Sequence, residues 1–176
     1  EKFNNITNFL KSEVNSGKMI TPLFDNIFRA FKECPYKELK VVMLGQDPYP
    51  WPKVADGLAF SARNHPLNPP ATLRFMFPAI EKDVYGGFAI GYNENYMDTD
   101  LTRWAKQGVL LINTALTTTV GQSNATGHAE TWASFVRFIF LILKAYNTGL
   151  VFILLGNDAK QWRVAINDQS NYVLTA

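Results

Sequence analysis

Residues 40–50 read Lys-Val-Val-Met-Leu-Gly-Gln-Asp-Pro-Tyr-Pro, and they decide the fold of this chain. Their first half is a short apolar run, which predicts a buried strand over Lys40–Leu44 that ends at Gly45. Three further runs predict strands, the last of them more weakly: Val109–Ile112, Leu150–Leu155 and Tyr172–Leu174. Such runs are typical of parallel strands, because both faces of a parallel sheet are covered.

Before and between these runs, apolar residues recur at helical spacing. The first predicted helix covers residues 3–14 and stops at Gly17. The second carries Phe24 to Phe31 and follows the start signal Thr21-Pro22. Four more helices are predicted over Ala71–Val84, Asp100–Gln107, Thr131–Tyr146 and Asp158–Asn167. Strands that alternate with helices build a sheet covered by helices on both faces. We therefore predict a single α/β domain over residues 1–176, a three-layer sandwich with a central, mostly parallel four-stranded sheet flanked by helices.

The composition sets broad limits on function. With 47% hydrophobic and 18% charged residues, the 176-residue chain can bury a core, and its net charge of +2 is too small to indicate nucleic acid. The single cysteine, Cys34, excludes an internal disulfide and indicates a reducing compartment. The first residues lack a signal-peptide core, and the longest apolar run, Phe138–Leu143, is too short for a bilayer. We expect an intracellular protein, neither secreted nor membrane-bound.

Metal and cofactor chemistry is not expected either. Two histidines and one cysteine leave little material for a transition-metal site, and no phosphate-cradling glycine loop follows a predicted strand. We therefore expect no metal and no organic cofactor.

The residues that follow the predicted strands carry the candidate chemistry, because ligands of parallel α/β sheets bind beyond the carboxyl ends of the strands. Gln46 and Asp47 follow the first strand, and Asn113 follows the Val109 run. The aromatic Tyr49 and Phe60 lie close by in the sequence. An acid, an amide and two aromatic rings could thus converge on one crevice. No serine or cysteine nucleophile with a nearby base is evident, so a carboxylate acting with water is the simplest chemistry.

Several segments together resemble the uracil-DNA glycosylase family of the Gly-Gln-Asp-Pro-Tyr type. They are its water-activating loop (45–49), its base-stacking segment Gly-Leu-Ala-Phe-Ser (57–61), its proline-rich loop (69–73), its uracil-reading strand (104–113), and the stretches around Gly121-Gln122, Trp132 and Val151–Ala159. They occur in the order of the family, with similar spacing, across most of the chain. Each motif alone is weak, but the ordered set is specific.

The resemblance implies roles for five residues around the base. Asp47 would activate the water that attacks the sugar, and Asn113 would read the polar edge of uracil. Tyr49 would exclude the thymine methyl, Phe60 would stack on the everted ring, and Gln46 would line the pocket through its backbone. On the residues alone, plainer interpretations stand: an aspartate before proline is a turn residue, a strand-end asparagine caps a turn, and the aromatics belong to the core.

The resemblance also implies contacts with the DNA backbone. Ser61, the Pro69-Pro70 loop and the pair Gly156-Asn157 would touch and compress the backbone, which lowers the cost of flipping the base. Each could equally be an ordinary loop. The resemblance also bears on His128, because the family carries a histidine in this region near the catalytic acid. The spacing here is one residue longer, which favours a solvated loop histidine.

Three departures from the family pattern bear on these roles. Pro50 stands where the family has histidine, and Gly156-Asn157 replaces Gly-Ser. The third concerns the end of the sequence, since in the family the segment resembling residues 172–176 leads into a His-Pro-Ser-Pro loop. That loop supplies an electrophilic histidine and the side chain that enters the emptied base stack. We expect the printed sequence to lack this loop and the last helix by omission.

Three functions remain open at this point. The leading hypothesis is a monofunctional uracil-DNA glycosylase of base excision repair, a monomer acting on single- or double-stranded DNA, with replication or repair proteins as possible partners. A second is a DNA-binding or scaffolding protein that has kept the fold with weakened catalysis, which Pro50 and the missing loop motivate. A third is a glycosylase for another damaged pyrimidine, which Tyr49 disfavours for bases with bulky C5 groups.

Overall fold

The computed structural model describes residues 2–63, 65, 69–85, 98–122, 126–166 and 169–176. The helices are α1 (Lys2–Asn15), α2 (Arg29–Glu33), α3 (Ala71–Tyr85), α4 (Thr102–Ala105), α5 (Thr126–Tyr146), α6 (Gly156–Lys160) and α7 (Arg163–Ile166), with 3-10 turns at Phe24–Asn26 and Tyr36–Glu38. The strands are β1 (Ile20–Thr21), β2 (Val41–Gly45), β3 (Val109–Asn113), β4 (Thr118–Thr119), β5 (Val151–Leu154) and β6 (Tyr172–Thr175). In these ranges no helix is both long and apolar enough to cross a membrane.

The central sheet confirms the prediction of a four-stranded α/β sandwich. Its strands lie in the order β3-β2-β5-β6, and all three pairings are parallel. Val41 of β2 is level with Val109 on one side and with Val151 on the other, so these three strands begin together. Their carboxyl ends therefore meet along one edge, where the candidate side chains follow.

The core forms where helices pack on this sheet. Phe140 of α5 and Phe152 of β5 are fully buried, and their rings meet edge to face with centroids 6.0 Å apart. Phe77 of α3 packs in the same manner on Trp104 of α4 at 6.4 Å. Aromatic rings of this size bury enough apolar surface to fix helix positions on the sheet.

The structure differs from the predicted helices in three places. The helix predicted over Asp158–Asn167 is broken into α6 and α7, because the Trp162 ring turns inward against Phe140 at 5.5 Å. The segment after Pro22 forms a 3-10 turn and the five-residue α2 in place of one long helix. Helix α5 begins at Thr126, five residues before the predicted start at Thr131.

A second sheet was not predicted. Strands β1 and β4 pair antiparallel over two residues each, with Ile20 opposite Thr119 and Thr21 opposite Thr118. Backbone bonds extend this contact, since the Val120 N–H donates to the Met19 carbonyl (2.8 Å) and the Gly121 N–H to the Pro50 carbonyl (2.7 Å). The pair therefore ties the segment after β3 to the segment after α1, and the bond to Pro50 ties it to the segment after β2.

Candidate active site

A cavity of about 370 Å³ lies at the carboxyl edge of the central sheet. Six predicted site residues line it: Gln46, Asp47, Tyr49, Phe60, Asn113 and Gly156. They come from the segments that follow β2 and β5, from the last residue of β3 and from the loop before α3. The acid, the amide and the two aromatic rings thus face one volume, as the positions of the strand ends predict.

Backbone pairing beyond the strand ends holds Asp47 beside Asn113. Gly45 and Asn113 are partners in the parallel register of β2 and β3. Past them, the Thr114 N–H donates to the Gly45 carbonyl (2.9 Å), and the Gln46 carbonyl accepts from both the Ala115 N–H (3.0 Å) and the Thr114 hydroxyl (2.7 Å). The two residues preceding Asp47 are therefore fixed by three bonds to the segment that carries Asn113.

Gly45 allows the amide and an aromatic ring to approach the strand end closely. A Cβ atom there would overlap Asn113 Oδ1 and would lie 3.2 Å from Cζ of Phe60. Both side chains would have to move to accommodate alanine. The absence of a side chain at Gly45 is thus part of the shape of the cavity.

Phe60 is held in an unusual backbone conformation. Its φ angle is +67°, in the left-handed region that bulky residues rarely adopt. Two contacts hold the segment: the Tyr49 hydroxyl donates to the Phe60 carbonyl (3.0 Å), and the Ala59 N–H donates to the Leu111 carbonyl of β3 (3.0 Å). Burial raises the pKa of the Tyr49 phenol well above its ordinary value, so the hydroxyl stays protonated as the donor.

Beneath this loop lies a buried ion pair that the sequence reasoning missed. The Asp56 side chain is fully buried, and its Oδ1 lies 3.1 Å from a terminal nitrogen of Arg29, whose side chain is only 7% exposed. Asp56 also accepts from the Leu58 N–H (3.1 Å), the Ser61 hydroxyl (2.7 Å) and the Arg63 N–H (3.1 Å). The carboxylate therefore organises residues 56–63, which carry Phe60.

The DNA-contact predictions are corrected at Ser61 and at one of the prolines. Ser61 is fully buried, and its hydroxyl donates to Asp56 and accepts from the Leu101 N–H (3.1 Å), so this side chain is not available to DNA. Pro70 is buried as well, which leaves Pro69, half-buried, as the accessible proline of the loop.

The residues after β5 lie at the mouth of the cavity. Gly156 and Asn157 are exposed, and the Gly156 N–H donates to the carbonyl of Ala176 (3.1 Å). The end of β6 therefore lies beside the cavity too. Their contact with DNA stays a prediction.

His128 is not a solvated loop residue, and that interpretation is wrong. It lies in the first turn of α5 and is 2% exposed. The Thr119 hydroxyl donates to the Glu13 carboxylate (3.3 Å), so at its 3.1 Å contact with Nε2 it accepts, and Nε2 carries the proton. Nδ1 then accepts from the Thr117 hydroxyl at 2.8 Å, and this hydroxyl accepts from the Trp132 indole N–H (2.7 Å). The neutral ring is therefore fully hydrogen-bonded within the fold.

This arrangement makes stability depend on pH. Burial lowers the pKa of His128 below its ordinary value of 6.5, although Glu13, whose carboxylate lies 3.7 Å from Nε2, partly opposes the shift. As the pH falls below about 6.5, the unfolded chain binds a proton that the folded ring resists. Below about pH 6.5 we expect protonation of His128 in the unfolded chain to lower the free energy of unfolding by at most about 1.4 kcal/mol per pH unit. Urea unfolding at a series of pH values from 7.5 to 5.5 measures this decrease.

One substitution separates this effect from a general one. His128→Gln should flatten the dependence on pH, because glutamine does not titrate between pH 7.5 and 5.5. A slope unchanged in His128→Gln would show that the stability between these pH values is set by other groups.

The fold and the cavity define an α/β domain with a polar and aromatic site at the carboxyl edge of a parallel sheet. The family model of the uracil DNA glycosylase superfamily matches residues 31–174. The uracil-DNA glycosylase of Vibrio vulnificus (strain YJ016) is 37% identical over 178 residues, which cover 99% of this chain and 74% of the relative. That of Neisseria meningitidis serogroup C is 39% identical over 175 residues, covering 99% and 76%. The chain belongs to the uracil DNA glycosylase superfamily.

A solved structure supports the same assignment. The crystal structure of mimivirus uracil-DNA glycosylase superposes with a TM-score of 0.86 at 27% identity. The match covers 99% of this chain and 62% of the mimivirus chain, so this chain spans less than two thirds of that protein.

Proposed function

We propose that the protein hydrolyses the N-glycosidic bond of uracil in single- or double-stranded DNA, releasing free uracil and leaving an abasic site. The observation that carries the proposal is that Asp47, Tyr49, Phe60 and Asn113 line one cavity. Membership of the superfamily and the names of the relatives support it. A base can enter such a cavity only after it leaves the stack, so the substrate nucleotide is everted.

Asn113 reads the base in this proposal. Its side-chain N–H donates to uracil O4 and its carbonyl accepts from N3–H, whereas cytosine presents the opposite pattern. The wrong base leaves buried polar groups unpaired, at about 1–3 kcal/mol each. The close approach of Asn113 to Gly45 supports a fixed position for this amide.

Asp47 carries the chemical step. The oxygen of a water molecule forms a bond to C1′ of the sugar, and the bond from C1′ to N1 of uracil breaks with its electrons going to the base. The carboxylate orients the water, stabilises the positive charge that develops on the sugar, and accepts the proton of the water. The uracil anion takes a proton from solvent after it leaves. This sequence requires neither a metal nor an organic cofactor.

The two aromatic rings shape the cavity for an unmethylated pyrimidine. Phe60 stacks on the everted ring, which contributes about 1–3 kcal/mol. Tyr49 packs against C5 and overlaps the position of a thymine methyl. The bond from the Tyr49 hydroxyl to the backbone carbonyl of Phe60 supports a fixed Tyr49 ring, since this ring cannot move away without breaking the bond.

Tyr49→Ala should therefore admit thymine. We expect the uracil-to-thymine ratio of kcat/KM to fall to about 10–200, the range that one methyl gives in a merely roomy pocket. Tyr49→Phe is the matched control, because it keeps the ring and removes only the hydroxyl; it should still reject thymine. Release of each base from otherwise identical oligonucleotides measures the ratio. If Tyr49→Ala rejects thymine as strictly as the wild type does, another group excludes thymine from the cavity.

The activity itself is tested with a uracil-containing oligonucleotide that is incubated with the protein and then treated with alkali. The proposal expects strand cleavage at the uracil position and none in the thymine control.

The second candidate, a DNA-binding protein with weakened catalysis, is favoured by Pro50. This residue lines the cavity, and the carbonyl of Pro50 is held by the Gly121 N–H. Proline has no backbone donor of its own to offer a ligand there. That candidate expects salt-sensitive DNA binding without released uracil, so the alkali assay separates the two.

A further inference from the structure

A second groove of about 310 Å³ lies beside the catalytic cavity. We call it the Trp51 groove; it is lined by Trp51, Val54, His65, Pro69, Pro70 and Arg74. Trp51 is 53% exposed, and of the four tryptophans in the chain it alone is exposed. An exposed indole on the rim of a groove is a ready surface for a flat ligand.

The Trp51 groove adjoins the cavity through two stacked rings. The Trp51 indole lies against the Tyr49 ring with centroids 5.9 Å apart and an interplanar angle of 17°. Tyr49 lines the cavity and Trp51 lines the groove. A ligand that fills both sites would therefore span two neighbouring aromatic surfaces.

The charges around the groove suit an anionic backbone. Arg74 is exposed, and its Nε donates to the carbonyl of Pro69 (2.9 Å), which ties the guanidinium to the rim. Lys53 and Arg63 are exposed in the segments flanking the groove in sequence. None of the described residues that line the groove is acidic. Guanidinium groups are well suited to contact phosphate oxygens.

We propose that the Trp51 groove binds an unpaired nucleobase next to the everted one, stacked on Trp51, with a phosphate of the same strand at Arg74. The inference rests on the proposed function, because it takes the ligand of the groove to be the DNA strand whose uracil enters the neighbouring cavity. Stacking on an indole accepts any base, since every base has a π-face. The groove thus favours single-stranded DNA around the target, where the neighbouring base is free to leave the helix stack.

Binding of a thymine-only, single-stranded oligonucleotide tests the groove without any base excision. We expect Trp51→Ala to weaken this binding by about 5- to 150-fold, the range for one base stacked on an aromatic side chain. Trp51→Phe should retain most of the affinity. Tyr146→Ala is the matched control, because Tyr146 is exposed and lies at the end of α5, just before β5 begins and hence at the opposite edge of the sheet. Quenching of tryptophan fluorescence by the oligonucleotide should disappear in Trp51→Phe.

A second arm identifies the neighbouring base. Uracil oligonucleotides carry an abasic spacer immediately 5′ or 3′ of the uracil, and KM for uracil release is measured for the wild type and for Trp51→Ala. One of the two spacers should raise the KM of the wild type by the same factor as Trp51→Ala raises the KM for the unmodified oligonucleotide. The same spacer should not raise the KM of Trp51→Ala any further. Additive effects of spacer and substitution on both sides would overturn the proposal.

Arg74→Gln tests the phosphate contact. The slope of the logarithm of the DNA association constant against the logarithm of the salt concentration should become shallower by about 0.7, the value for one phosphate contact on a single strand. Equal thymine-oligonucleotide affinity in the wild type and Trp51→Ala would refute the inference even if uracil is released. Affinity that depends on Trp51 without release of uracil would support the groove and refute the proposed function, so the two failures are distinguishable.

Discussion

Asp47→Asn is expected to lower the single-turnover rate constant for uracil release by about 10²–10⁴-fold, the range for a group that takes a proton in the transition state. Asparagine keeps the shape of the side chain but removes the charge, so it neither accepts the proton of the water nor stabilises the cationic sugar. Affinity for uracil-containing DNA should change little, because the contribution of the charge appears only as the bond breaks.

The measurement is uracil release with enzyme in excess over a labelled oligonucleotide. Asp83→Asn is the matched control, because Asp83 is exposed on α3 and the chemical change is the same. A rate for Asp47→Asn within threefold of the wild type would remove Asp47 from the chemical step.

Asp56→Ala is expected to lower the free energy of unfolding by about 3–5 kcal/mol, the range for removing one partner of a buried ion pair. The substitution leaves the Arg29 guanidinium buried without its nearest carboxylate. It also removes the acceptor of the Ser61 hydroxyl and of two backbone N–H groups. Glu33 and Asp100, at 3.3 and 3.7 Å from Arg29, compensate in part, which favours the lower end of the range.

Urea unfolding at pH 7 measures this loss. Lys18→Met is the matched control, because Lys18 pairs with Glu13 at 2.8 Å but is 42% exposed, and a pair of that kind contributes about 1 kcal/mol or less. A loss for Asp56→Ala no greater than for Lys18→Met would mean that the loop carrying Phe60 is held by its backbone contacts alone.

The central sheet could be predicted from the sequence because its signal is local. Each of the apolar runs that lead to Gly45 and Asn113 indicates a strand without help from distant residues. The helices predicted between the strands indicate that the strands are parallel. The convergence of Asp47 and Asn113 then follows from the rule that ligands lie at the carboxyl ends of strands. The strands β1 and β4, with two residues each, are too short to give a periodic signal.

The support of the site could not be predicted in the same way. Arg29 and Asp56 are 27 positions apart, and nothing in either neighbourhood indicates that they pair in the core. An arginine among the phenylalanines of the segment 24–31 was the available signal, because a charge in an apolar helix pattern needs a partner. The sequence likewise led to the prediction that Ser61 contacts DNA, because the hydrogen bond from Ser61 to Asp56 is visible only in three dimensions.

In the proposed function, one cavity at the sheet edge takes an everted uracil, and a carboxylate and an amide that the fold brings together release it from its sugar. The most direct test is mass-spectrometric detection of free uracil released from a uracil oligonucleotide by the wild type and by the double variant Asp47→Asn, Asn113→Ala. We expect free uracil from the wild type and a rate of release by the double variant at least as low as that of Asp47→Asn alone. Undiminished release by a correctly folded double variant would show that neither side chain takes part in excision.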